Sequence, residues 1–204
     1  MSIANQKMKH VVANLFFALL LSAFPSAFAR ATLEKNEVHS LSQLSITKDR
    51  ELLGCRTILE IVLAHPSLFS TLATAVGVVP GLADALDDPD AELTLFAPTN
   101  NAFTRAFDTY IPITIEEFLE LPDAVADTLL YHAVGGTFYT PQLPSTLTTL
   151  QNETIAVNRG KFRITLDPFV PESVQVIGPN IPACKSVVHV IDLVMVPESV
   201  AVLF

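Results

Sequence analysis

The amino-acid sequence predicts an α+β domain, helical in its first half and rich in antiparallel strands in its second. Three observations predict it. From Cys55 to Leu129 apolar residues recur at three- and four-residue steps, the spacing of one buried helical face. After Gly135-Gly136 the period falls to two, most clearly in Lys161-Phe162-Arg163-Ile164-Thr165-Leu166, as on a half-buried strand. Strands and helices do not alternate in a repeating order, and no internal repeat occurs, so one α+β domain is the economical reading.

Taken in order, Arg30 to Gly54 is polar and weakly patterned and reads as a flexible lead-in. Ile58, Ile61 and Val62, then Leu68, Phe69, Leu72 and Val76, form apolar helical stripes. Pro66 suits the first turn of a helix and not its interior, so two short helices meet near His65. Leu93-Thr94-Leu95-Phe96-Ala97, between an acidic loop and Pro98, has the length and flanks of a buried strand. Thr99 caps the next helix, whose stripe is Phe103, Ala106, Phe107 and Tyr110. Thr114 and Glu117 have capping-box spacing, and Pro122 opens one more helix, carrying Val125 and Leu129 inward. Strands are expected over 146–150, 154–158, 161–166, 173–177 and 187–196.

Composition excludes several functions. Half the residues are apolar, which removes disorder, and a net charge of -9 leaves no basic face for nucleic acid. Lys7 and Lys9 precede the apolar run Val11–Phe24, and Pro25 and Ala27-Phe28-Ala29 follow, the layout of a secretory signal peptide over 1–29. That run falls short of the roughly 20 apolar residues of a membrane span. Cleavage would start the mature chain at Arg30, in an oxidising compartment, with no membrane span left after signal cleavage. Asn152-Glu153-Thr154 is the only glycosylation sequon free of Pro, and it falls in a polar turn between two strands.

Chemistry is sparsely signalled. No Gly-x-Ser-x-Gly, His-Glu-x-x-His, phosphate loop, dinucleotide fingerprint or Cys-x-x-Cys is present, so the chain reads as non-enzymatic. The acidic residues Asp84, Asp87, Asp88, Asp90 and Glu92 lack the Gly and the spacing of a Ca²⁺ loop and read as a solvated loop. The mature chain's histidines have no ligand-like spacing, so no metal is expected. His189 and Asp192 stand an odd number of residues apart, which sends them to opposite faces of a strand.

Three segments resemble the fasciclin-type (FAS1) adhesion domain. Leu93-Thr94-Leu95-Phe96-Ala97-Pro98-Thr99-Asn100-Asn101-Ala102-Phe103 is similar to the family's first box. Leu130-Tyr131-His132-Ala133-Val134 is similar to its Tyr-His motif, and Val187-Val188-His189-Val190-Ile191-Asp192-Leu193-Val194-Met195-Val196-Pro197 to its second box. The match runs from about Cys55 to Pro197, and Lys185-Ser186 departs from the Asn-Gly that usually opens the second box. The resemblance implies a domain over 55–198 with a short tail over 199–204, built as a wedge of two antiparallel-rich β-sheets beside the helices. It implies a secreted protein that binds a cell-surface receptor, a matrix protein or a glycan. Tyr131 and His132 are then either contacts for an adhesion receptor or buried parts of the fold. Some algal members resemble carotenoid-binding proteins, so a carrier of an apolar small molecule is the alternative; otherwise no cofactor is implied. In such a fold the first helix approaches the loop before the last strand, which implies a Cys55–Cys184 disulfide.

Overall fold

The computed structural model describes residues 54–161, 163–170 and 173–203. The expected signal peptide, its cleavage site and the lead-in up to residue 53 lie outside the described residues, as do Phe162 and Phe204.

Among the described residues there are seven α-helices, which pack on one another and on the strands. α1 (Ile58–Ala64) starts at a capping box in which Thr57 Oγ1 accepts from Glu60 N and Glu60 Oε2 accepts from Thr57 N. α2 (Pro66–Val78) follows directly, with His65 as the junction residue. Phe69 leaves helical geometry at φ -129°, ψ 16°, and buries its own ring while Leu68, expected on the inner stripe, stays 46% exposed. The kink breaks the helical ladder, and Asn100 fills the gap: its Oδ1 accepts from Thr71 N and its Nδ2 donates to the Pro66 and Ser67 carbonyls. α3 (Leu82–Leu86) leads to β1 (Leu93–Pro98). α4 (Asn100–Thr109) is capped by Thr99, α5 (Ile115–Leu119) by the Thr114–Glu117 box, and α6 (Pro122–Tyr131) opens on Pro122. The sequence placed these three starts correctly because a cap is a local contact. α7 (Glu198–Ala201) closes the described chain.

The strands are β2 (Ala133–Gly135), β3 (Thr146–Thr148), β4 (Thr154–Arg159), β5 (Ile164–Asp167), β6 (Val174–Ala183) and β7 (Ser186–Ile191). Their hydrogen-bonded order is β2-β1-β7-β6-β5-β4-β3. β1 and β7 run parallel, and every other pair is antiparallel. The two sheets of the wedge share β6, whose first residues pair with β5 and whose later ones pair with β7. At the far end Val134 bridges Thr149, and Leu150 N donates to Ala133 O at 2.8 Å, which fastens β2 to the β3 side.

Two strands, β6 and β7, differ most from expectation in length, and β5 starts later than expected. β6 continues past Ile177 through Gly178, Pro179 and Pro182. It does so by two register shifts, one on each side of Gly178, and the second accommodates Pro179 and Asn180 off the regular ladder. A Cβ on Gly178 would meet Val190 Cγ2 at 3.0 Å, a tight contact to which the Val190 side chain would have to yield. β7 ends at Ile191 and not at Val196; Leu193 to Val196 stay buried without continuing the strand. β5 begins at Ile164 because Arg159 pairs with Ile164 and Gly160 N closes on Arg163 O at 2.8 Å.

The core lies between helices and sheets, with Phe69, Leu72, Phe96, Leu166, Ile191 and Met195 all fully enclosed. Full burial of such side chains contributes about 1.5–3 kcal/mol each. Cys55 and Cys184 form a disulfide with Cα atoms 5.0 Å apart and 129 residues between them in sequence. It ties the chain just before α1 to the β6–β7 turn, where Cys184 takes a left-handed φ of 49°. Closing so long a loop restricts the unfolded chain by about 5 kcal/mol in the chain-entropy account.

Candidate functional site

Tyr131 is the last residue of α6 and His132 caps it, so the pair turns the chain from helix into β2. Both side chains point inward, at 0% and 1% exposure. The Tyr131 hydroxyl accepts from Phe169 N at 3.1 Å, linking α6 to the loop after β5, and burial pushes its pKa up. His132 Nδ1 donates to Thr128 O at 2.6 Å, and its Nε2 accepts from Met195 N at 2.9 Å. Those two bonds require the neutral Nδ1–H tautomer. Burial lowers its pKa to about 4, which keeps it neutral across the physiological range. Met195 belongs to the buried segment that the sequence reads as strand; the imidazole takes the place of a neighbouring strand there.

His189, on β7, makes the mirrored arrangement. Its Nε2 donates to Phe138 O at 2.9 Å, its Nδ1 accepts from Asn180 N at 3.1 Å, and its ring stacks on Phe96 at 5.6 Å. Burial lowers its pKa as well. Asn180 has φ 64° in the β6 bulge, and its side chain exchanges two hydrogen bonds of 2.8 Å with Thr140. Sequence reasoning missed this clamp; the Gly178-Pro179-Asn180 run facing His189 was the available signal. Asp192 does not meet His189: its Oδ1 accepts from Gln175 N and its Oδ2 pairs with Arg105 at 3.2 Å.

The remaining candidates lie apart from this pair. Asn152 is exposed in the β3–β4 turn at φ 72°. The Cys55–Cys184 bond borders a surface cavity of about 350 Å³ with Arg56, His65, Ile181 and Pro182. In the acidic loop Asp90 pairs with Lys185 at 2.9 Å, Asp88 Oδ1 accepts from Asp90 N, and Asp87 Oδ1 accepts from Thr57 Oγ1. Among the described residues no three His, Cys, Asp or Glu side chains cluster as a metal site would require. No described helix is long and apolar enough to cross a membrane.

A helix-backed β wedge with an interior Tyr-His corner defines the class of domain, and comparison places it. The chain belongs to the Fasciclin domain family, whose profile matches residues 67–197. It is similar to uncharacterized protein sll1735 of Synechocystis sp., 34% identical over 129 residues, 62% of this chain and 88% of that one. It is also similar to protein sll1483 of the same organism, 29% identical over 177 residues, 84% of this chain and 90% of the relative. Among solved structures the fold matches a FAS1 domain pair from the insect cell adhesion molecule Fasciclin I, with a TM-score of 0.60 and 16% identity. The alignment covers 72% of this chain and 52% of that one, so this chain spans about half of the domain pair.

Proposed function

We propose that the chain is a secreted, non-enzymatic FAS1 domain that mediates adhesion or association with matrix or cell wall through its surface. The observation that carries this reading is the Fasciclin domain match over 67–197, which takes in most of the helices, both sheets and the Tyr131–His132 corner. The Cys55–Cys184 disulfide supports an oxidising, extracellular setting, because such bonds persist there. The fold neighbour is itself a cell adhesion molecule. Exposure of Asn152 in a turn supports its use as a glycan acceptor in a eukaryotic host. On this reading Tyr131 and His132 serve adhesion indirectly, by holding helix, loop and sheet together. One domain binds weakly, and clustering on a surface raises avidity.

No observation favours the carotenoid carrier. The apolar cavity among Val62, Leu72, Leu95 and Leu129 has a volume of about 20 Å³, room for about one water molecule.

Beads coated with the purified protein should retain cells or wall material of its source above beads coated with heat-denatured protein. Equal retention on both would sink the adhesion reading. N-terminal sequencing of secreted material should read Arg-Ala-Thr-Leu, and glycosidase treatment should increase its gel mobility.

A further inference from the structure

Cys55 and Cys184 are the only cysteines of the chain, and each is partly exposed at the wall of a surface cavity of about 350 Å³. The two segments that their bond joins are held differently. On the sheet side the β6–β7 turn has fastenings of its own. Ala183 pairs with Ser186, whose Oγ donates to Ala91 O at 2.6 Å and accepts from Leu93 N at 3.0 Å, and Thr137 Oγ1 donates to Lys185 O. On the helix side Gly54 to Arg56 belongs to no helix or strand. Regular structure starts at Thr57, which shares a capping box with Glu60 and donates to Asp87 Oδ1 at 2.8 Å. The turn and α1 thus keep their own hydrogen bonds when the disulfide is open, and what is lost is the tie of Gly54–Arg56 to the sheet.

We infer that this disulfide is an exchangeable latch, opened by a dithiol while the domain stays folded, which sets whether tension along the chain passes through the domain or around it. Exposed disulfides are the class that exchanges readily, because a thiolate must reach a sulfur to attack it. One thiolate of the dithiol attacks a sulfur of the bond and expels the other cysteine as a thiolate, leaving a mixed disulfide. The dithiol's second thiolate then closes on its own partner sulfur and expels the second cysteine. Two electrons pass from the dithiol, which ends as a disulfide, to the cysteines, which take up its two protons and end as thiols. Closed, the bond links residue 55 directly to residue 184, so a pull applied ahead of Gly54 and behind Lys185 bypasses everything from α1 to β6. Open, the same pull runs through those elements. The latch deepens the adhesion reading and rests on it for the source of the tension.

The test treats the purified, oxidised full chain with dithiothreitol, traps free thiols with iodoacetamide and counts them by mass. Reduction should proceed without denaturant, at a rate proportional to dithiothreitol, and should change less than about twofold in urea well below the unfolding transition. The reduced, alkylated chain should keep a cooperative urea transition, at a lower midpoint because the unfolded chain regains the freedom of the loop. The double variant Cys55→Ser/Cys184→Ser, which carries no alkyl groups, should do the same. Pulled between its ends in optical tweezers, the oxidised chain should stop short of the reduced one by about 430–460 Å, the length of 129 extended residues. A reduction rate that climbs steeply with low urea would mean that the bond opens only when the domain unfolds, and would overturn the inference. Loss of the cooperative transition in both the alkylated chain and the serine variant, or equal extension of oxidised and reduced chains, would overturn it too. Bead retention takes no part in these measurements: its absence removes the adhesion reading alone, and their failure removes the latch alone.

Discussion

His132 donates from Nδ1 and accepts at Nε2, whereas His189 donates from Nε2 and accepts at Nδ1. Each ring accepts from a distant backbone N–H, Met195 N or Asn180 N, and donates to a backbone carbonyl. His132 links the end of α6 to Met195 in the chain after β7; His189 links the β6 bulge to Phe138 in the loop after β2. The surroundings differ. His132 sits at a helix terminus beside fully buried Tyr131, while His189 lies on a central strand against Phe96. The difference teaches that a buried backbone N–H outside regular structure can be satisfied by a neutral imidazole, and that the site then depends on that ring staying neutral.

The corner of α6 and β2 is the one whose loss should cost most. Tyr131→Ala removes a fully buried aromatic ring and the acceptor of Phe169 N, a change that typically costs about 3–5 kcal/mol. Such a loss is a large part of the stability of a domain. Urea denaturation should show the midpoint fall steeply, with bead retention falling alongside it. An unchanged midpoint with retention abolished would return Tyr131 to the role of a direct contact. Tyr131→Phe keeps the ring, so it should cost only about 1 kcal/mol.

His132→Ala comes next, at about 3 kcal/mol, because it leaves the buried Met195 N–H without an acceptor as well as a cavity. Its pH signature is more specific. The unfolded imidazole titrates near 6.5 and the folded one near about 4, so between those values the unfolded chain binds more protons. The stabilising contribution is therefore complete above about pH 6.5 and is lost as pH falls toward 4, by about 3 kcal/mol in all. His189, whose pKa is also lowered, contributes in the same direction. Unfolding free energies measured at several pH values should rise from pH 4 to 6.5 in the parent. In His132→Ala most of that rise should disappear, with a remainder from His189. An unaltered rise would assign the pH dependence to other groups.

His189→Ala should cost less, about 2 kcal/mol, since the Asn180 N–H that it orphans lies in a part-buried bulge where a water can replace the ring nitrogen. A loss larger than that of His132→Ala, in parallel denaturation curves, would reverse the ranking of the two clamps.

How much of this was legible in the sequence follows the range of each interaction. Thr99, Thr114, Pro66 and Pro122 announced their helices because caps and first-turn prolines act within three or four residues. Burial of Leu193 to Val196 was legible but its cause was not: a continuous apolar run reads as strand, and only the long-range bond from Met195 to His132 shows otherwise. The sequence reading stopped β6 at Ile177, yet the strand goes on, passing Pro179 within a register shift and carrying Pro182 opposite Val187, although Pro donates nothing to a ladder. Asn100 looked like a helix residue and is also the patch for the kink at Phe69, twenty-nine positions from Thr71. The Tyr131–His132 corner was recognised from the family's motif, whereas the His189 clamp depends on bulge geometry that alternation does not encode.

The smallest expected effect separates backbone from side chain at the second clamp. Asn180 does two things: it adopts φ 64°, which Asn tolerates better than most residues, and it exchanges hydrogen bonds with Thr140 through Oδ1 and Nδ2. Asn180→Gly keeps the conformation and deletes the side-chain bonds, so it isolates their worth, about 1 kcal/mol. Asn180→Ala deletes the same bonds and adds the strain of a left-handed Ala, roughly 1 kcal/mol more. The His189 ring accepts a hydrogen bond from the backbone N–H of Asn180, which Gly retains. Combined with His189→Ala, Asn180→Gly should therefore be additive within about 0.5 kcal/mol, and Asn180→Ala should not, because loss of the imidazole lets the bulge relax. A double-mutant cycle by urea denaturation decides it: strong coupling of His189→Ala to Asn180→Gly would mean that the Thr140 bonds, and not the backbone geometry, hold the bulge against the ring.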